Sequence, residues 1–140
     1  MAVFQFQNPF AAAVVIMCVS FIFYSPALGE QGIASYYTPP YVPSSCYGYQ
    51  EQGTMIAAAR QEIFAGRAAC GKFYTVTCTG GTNQGTPQPC YNGTSVTVKV
   101  VDLCPSCSGR GRDFDLSQEA FAAIANTDSG LIRINYQQAG

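Results

Sequence analysis

Residues Val96–Ile124, VTVKVVDLCPSCSGRGRDFDLSQEAFAAI, carry the organising pattern of this chain. Val96, Val98 and Val100 alternate with Thr97, Lys99 and Val101, the two-residue period of a strand with one buried face. Asp102 ends that strand. Cys104 and Cys107 then bracket a tight Pro-Ser turn, and a Gly/Arg loop carries the chain to Asp113 and Asp115. Ser117 is a good helix N-cap, and Glu119 falls in the first turn, where negative charge favours the helix dipole. Leu116, Ala120, Phe121 and Ile124 lie at helical spacing and predict one apolar face. Asp102 and Asp115 therefore flank a stiffened loop between a strand and a helix, a common setting for functional groups. The plainer reading of both is hydrogen bonding to the loop and the cap.

The ends of the chain differ in character. Phe10–Tyr24 is an apolar run followed by Ser25-Pro26 and the small-x-small pattern Ala27-Leu28-Gly29, which predicts a secretory leader over residues 1–29. As a helix the run would reach about 22 Å, short of the roughly 30 Å of a bilayer core, so a membrane anchor fits less well. The remaining segment, 30–140, is the size of one small domain and is nearly neutral. It lacks the basic stripe that nucleic acid requires. The chain contains no histidine, which excludes His-based triads and most zinc sites; neither a metal nor a cofactor is expected.

Removing Cys18 with the leader leaves six cysteines, an even count that reads as a disulfide framework in a small secreted domain. Local spacing pairs Cys78 with Cys90 around a Gly/Thr/Asn/Pro loop, a closure that stabilises by roughly 3 kcal/mol in the chain-entropy picture. It also pairs Cys104 with Cys107. A redox reading of that Cys-x-x-Cys needs a helix N-terminus and a reducing compartment, so a structural clasp is expected.

Along the rest of the domain, Gly32–Thr38 reads as a short strand entering a Pro-rich loop. The loop, residues 39–52, holds Tyr41, Tyr47 and Tyr49, as packing over Cys46 or as an aromatic face for a sugar or a receptor. Met55–Phe64 reads as an apolar segment turning into a helix that stops at Ala65-Gly66. Lys72–Thr79 and Leu131–Gln137 alternate as strands, and Asn92-Gly93-Thr94 is a glycosylation sequon. Several short strands with two short helices point to a small barrel.

The runs TPPYVPSSCYGYQ, GTMIAAA, ACGK, TCTGGTNQGTPQPC, VKVVDLCP and DLSQEAFAAIAN resemble the plant EG-45-like proteins, which include plant natriuretic peptides and blight-associated secreted proteins. More distantly they resemble the first domain of expansins, barwin and the family-45 endoglucanases. The resemblance spans the whole mature segment and implies a mainly β fold, a six-stranded double-psi β-barrel stapled by disulfides, with Cys46 paired to Cys70. It places Asp115 at the position of the endoglucanases' catalytic acid and Asp102 in the polar groove of expansin-like domains. Tyr36, Tyr37 and Thr38 then line the same groove, with Thr38 where the endoglucanases hold their base.

A hydroxyl cannot replace a carboxylate as general base near neutral pH, so the chain is expected not to be a hydrolase. The link Ser108–Phe114 is longer than in the nearer relatives and adds Arg110 and Arg112, which leaves the direction of Asp115 open. The function implied is that of a secreted, apoplastic signalling protein of natriuretic type. It would act as a monomer on a cell-surface receptor in water and solute balance and stress response, through the segment from Pro39 to Gly66. The alternative is a wall-polysaccharide-binding protein of expansin type.

Overall fold

A computed structural model describes residues 29–140; the expected leader, apart from Gly29, lies outside the described residues. Six strands, β1 (Glu30–Tyr37), β2 (Ile56–Ala59), β3 (Phe73–Gly81), β4 (Ser95–Leu103), β5 (Phe114–Ser117) and β6 (Ile132–Ala139), close a barrel in the order β1-β5-β2-β4-β3-β6. β1 with β5 and β2 with β4 run parallel, and the other four pairings are antiparallel. Among the described residues, closure leaves no strand edge of the barrel open to pairing with another chain.

Period-two patterning decides what faces inward. Tyr74 and Val76 of β3, Val98 and Val100 of β4, and Ile132 and Ile134 of β6 all pack on the central core. Two strands escape the pattern reading. Ile56–Ala59, expected as a lead-in to a helix, is β2, and all four residues are buried. Such a strand shows no alternation in sequence, because both of its faces are covered.

Phe114–Ser117, expected as loop and helix start, is β5. Phe114 and Leu116 enter the core while Asp115 faces out, so Leu116 belongs to a strand rather than to the helical stripe. Each of those two apolar side chains contributes roughly 1.5–3 kcal/mol on burial, enough to hold a four-residue strand in the barrel wall.

Helix α1 (Gln61–Phe64) ends where Ala65 and Gly66 turn to positive φ, 49° and 61°. Helix α2 (Gln118–Ile124) starts at Ser117, whose Oγ accepts the Ala120 N–H at 3.0 Å; Ala120, Phe121 and Ile124 form its buried face. The disulfides are Cys46–Cys70, Cys78–Cys90 and Cys104–Cys107.

Asp113, just before β5, is buried and accepts from the Ile33 N–H at 2.9 Å and the Tyr136 hydroxyl at 3.3 Å, with Arg60 Nη1 at 3.3 Å. It thereby ties β1, β6 and the start of α1 to the strand that carries Asp115. A Cβ at Gly32 would collide with its carboxylate, which explains the glycine in β1.

One irregularity controls the outer surface. Ala57 pairs with Val100, yet Ala58 pairs with Asp102, so Val101 is an extra residue in β4. Strict alternation from Val98 and Val100 would send Asp102 into the core. The bulge turns it outward.

Candidate functional site

The bulge and the short β5 together build one row across four strands. Asp102 of β4 is the partner of Ala58 in β2, Ala58 is the partner of Asp115 in β5, and Asp115 is the partner of Ser35 in β1. Partners in a ladder project to the same face, so both carboxylates and the Ser35 hydroxyl stand on the outer wall. Two interstrand spacings separate the α-carbons of Asp102 and Asp115, about 9.5 Å. Ala58 stands between them in the ladder, and its side chain is buried.

Tyr37 of β1 and the Cys104–Cys107 disulfide pack on Ala58 and give the row an apolar floor. The Tyr37 hydroxyl is buried and has no protein hydrogen-bond partner. Burial raises its pKa well above the ordinary phenol value, and the charges of Asp102 and Asp115 add to the effect. The Tyr37 hydroxyl therefore stays un-ionised beside the two carboxylates.

Each carboxylate is oriented differently. Asp102 Oδ1 accepts two backbone N–H groups, Ser45 and Leu103, both at 2.9 Å. Asp115 Oδ1 accepts the Ser35 hydroxyl at 2.9 Å, and Arg112 Nη1 donates to Ser35 Oγ at 2.8 Å. The second arm of Arg112, Nη2, donates to Ser106 Oγ on the disulfide turn at 3.2 Å. Burial pushes the Asp115 pKa up, and the Ser35 hydrogen bond and the Arg112 charge pull against it. Inverting hydrolysis needs an acid and a base on opposite faces of the sugar. Here both carboxylates rise from one sheet face.

Residues 56–136 match a double-psi β-barrel family model described as lytic transglycolase. An EG45-like domain containing protein of Citrus jambhiri is 56% identical over 115 residues, 82% of this chain and 86% of the relative. The chain belongs to the EG45-like domain family. Among solved structures, a mutant Clavibacter michiganensis expansin in complex with cellohexaose is similar to this EG45-like protein with TM-score 0.63 and 26% identity. The match covers 81% of this chain and 51% of the expansin, so the EG45-like chain spans about half of that structure's length. A β-1,4-D-endoglucanase of the blue mussel Mytilus edulis, 18% identical at TM-score 0.57 over 80% of this chain and 79% of its own, shares the fold.

The EG45-like barrel sorts the other residues singled out in the sequence. Tyr36 does not join the groove: alternation turns it inward, where its ring lies 4.8 Å from that of Phe121. Thr38 lies one residue past β1 and is exposed. Tyr41 meets Tyr37 edge-on at 5.1 Å, and its hydroxyl donates to Glu119. Desolvation, then that bond, pushes the Tyr41 pKa up to about 12. On the same loop a cleft of about 400 Å³ opens between Pro39, Tyr41, Glu51, Ile56 and Glu119.

Tyr47 lies under the Lys99 ammonium at 4.7 Å, and Tyr49 is 81% exposed. Asn92 is exposed in a turn. Pattern reading missed Ser35, Ser106 and the placement of Arg112. No local signal marks a serine that matters only through its register partner, whereas the extra arginine in the lengthened link was a visible departure.

Proposed function

We propose that this EG45-like protein binds cell-wall polysaccharide along the Tyr37–Asp102–Asp115 groove and does not cleave it. The Asp102–Ala58–Asp115 row carries the reading. It offers carboxylate oxygens to sugar hydroxyls beside the Tyr37 ring and the Cys104–Cys107 disulfide. The likeness to an expansin in complex with cellohexaose supports the same ligand class. Secretion to the apoplast with removal of residues 1–29 belongs to this reading, and the three disulfides fit an extracellular protein. The test is calorimetric titration of the oxidised 30–140 chain with cellohexaose, beside a reducing-end assay on soluble β-glucan. Binding without release of reducing ends supports the proposal; release abolished by Asp115→Asn would refute it.

A second reading rests on Tyr49. The loop that presents it is tied down by Cys46–Cys70 and by Arg67, which donates to the carbonyls of Ser45 and Cys46, so an exposed aromatic stands on a fixed support. Such a face suits a receptor, as in extracellular signalling of natriuretic type for water and solute balance and stress response. Protoplast swelling driven by the wild-type protein and absent with Tyr49→Ala would support it. Equal swelling by both proteins would remove the loop from that role.

A further inference from the structure

We propose that Arg112 is a positioning residue of the groove, acting through Ser35 to hold Asp115 as an ionised acceptor for glycan hydroxyls. The role of the groove as a glycan site is taken from the function proposed above. The relay between Arg112 and Asp115 stands on geometry alone.

Hydrogen-bond direction fixes the role of each group in the relay. A guanidinium donates and cannot accept, so the 2.8 Å contact from Arg112 Nη1 uses a lone pair of Ser35 Oγ. Ser35 has one hydroxyl proton, and it goes to Asp115 Oδ1 at 2.9 Å. That oxygen is therefore an acceptor, and the charge behind Ser35 favours the carboxylate over the acid. Protonation of Asp115 would weaken a bond that Arg112 polarises.

Arg112 is itself held on two sides. Its Nη2 donates to Ser106 Oγ and its backbone N–H to the Cys107 carbonyl at 2.9 Å, so the Cys104–Cys107 clasp aims the side chain. Its Nε is buried without a partner, and no carboxylate of the described residues forms an ion pair with it. A buried donor left unpaired costs free energy, so the guanidinium is kept here against a penalty. Arg110, two residues earlier in the same link, is exposed.

The groups facing Asp115 are few. Ser35 and Tyr37 come from β1, Asp102 lies beyond Ala58 on β4, and Arg112 comes from the link. Among the described residues, Arg112 is the one cation acting on Asp115. Burial works against ionisation of Asp115, and the relay through Ser35 and Arg112 opposes it. A site in a mildly acid extracellular medium would keep its acceptor by this means.

The experiment follows the Asp115 side-chain carboxyl carbon by NMR against pH in the oxidised 30–140 chain, for wild type, Arg112→Gln, Ser35→Ala and Arg110→Gln. Cellohexaose affinity is measured at about pH 5 and about pH 7. The titration midpoint should rise by about half a pH unit or more in Arg112→Gln and move the same way in Ser35→Ala, while Arg110→Gln stays at the wild-type value. Affinity of Arg112→Gln should fall further at the lower pH than at the higher.

A midpoint unchanged in Arg112→Gln, or moved equally by Arg110→Gln, overturns the relay. Should one variant fail to fold, the other still reads it, since each cuts a different link. If wild type binds no cellohexaose, the glycan function fails, and the midpoint still decides whether Arg112 sets the state of Asp115.

Discussion

Ser35 and Asp115, 80 residues apart in the chain, are partners in a parallel ladder and share a 2.9 Å hydrogen bond. That pairing brings the first strand to a carboxylate whose own segment is only four residues long. The consequences for binding, stability and pH are open to direct measurement.

Asp115→Asn keeps the shape of the side chain and removes its charge. Cellohexaose affinity should fall by about tenfold, on the scale of a lost charge-assisted hydrogen bond. Isothermal titration checks it.

The same substitution should stabilise the fold at neutral pH. Asp115 has a raised pKa in the folded state, so the unfolded chain loses its proton first as pH rises from the ordinary aspartate value. Wild-type stability therefore drops across that window and stays lowered above it, a penalty that asparagine does not carry. Urea unfolding at about pH 7 should favour Asp115→Asn, and the gain should vanish at about pH 3, where both forms are neutral.

Tyr37→Phe removes a buried hydroxyl with no protein partner. Folding stability should stay equal or rise by up to about 1 kcal/mol, because no internal bond is lost. Cellohexaose binding should change little, since that hydroxyl does not reach the groove surface. Thermal unfolding and titration of the one variant check both.

Asp113→Ala should be more damaging than any groove substitution. It strips acceptors from the Ile33 N–H and the Tyr136 hydroxyl and leaves Arg60 facing an empty buried position. A loss of about 3 kcal/mol or more is expected in urea unfolding.

Replacing both cysteines of a bridge by serine should cost according to the loop closed. Cys78–Cys90, with a separation of 12, should cost about 3 kcal/mol, and Cys104–Cys107, with a separation of 3, about 2 kcal/mol. Only loss of the second should also reduce glycan affinity, since that clasp floors the groove and carries Ser106.

Much of the barrel was legible in the chain. Alternation placed β3, β4 and β6, because each has one covered face and the two-residue period records it, and β1 was legible as a β-prone run stopped by Pro39-Pro40. Ser117 declared itself as a cap by chemistry, and the cysteine spacing in the last two bridges is local enough to read. β2 and β5 were not legible: Ile56–Ala59 is covered on both faces and shows no period, and Phe114–Ser117 is too short for one to repeat.

The groove belongs to tertiary structure. Sequence supplied Asp102 and Asp115 as carboxylates near one loop, but Asp102 faces outward only because Val101 bulges where β4 pairs with β2. Tyr36 and Tyr37 are neighbours in the chain, and the barrel wall sends one ring to Phe121 and the other to the disulfide floor. Arg112 stands out in the sequence as an added link residue, but it gains a partner only when ladder register sets Ser35 beside Asp115. Local pattern records which residue types alternate; it cannot record register between strands distant in sequence, and here register chooses which polar groups meet.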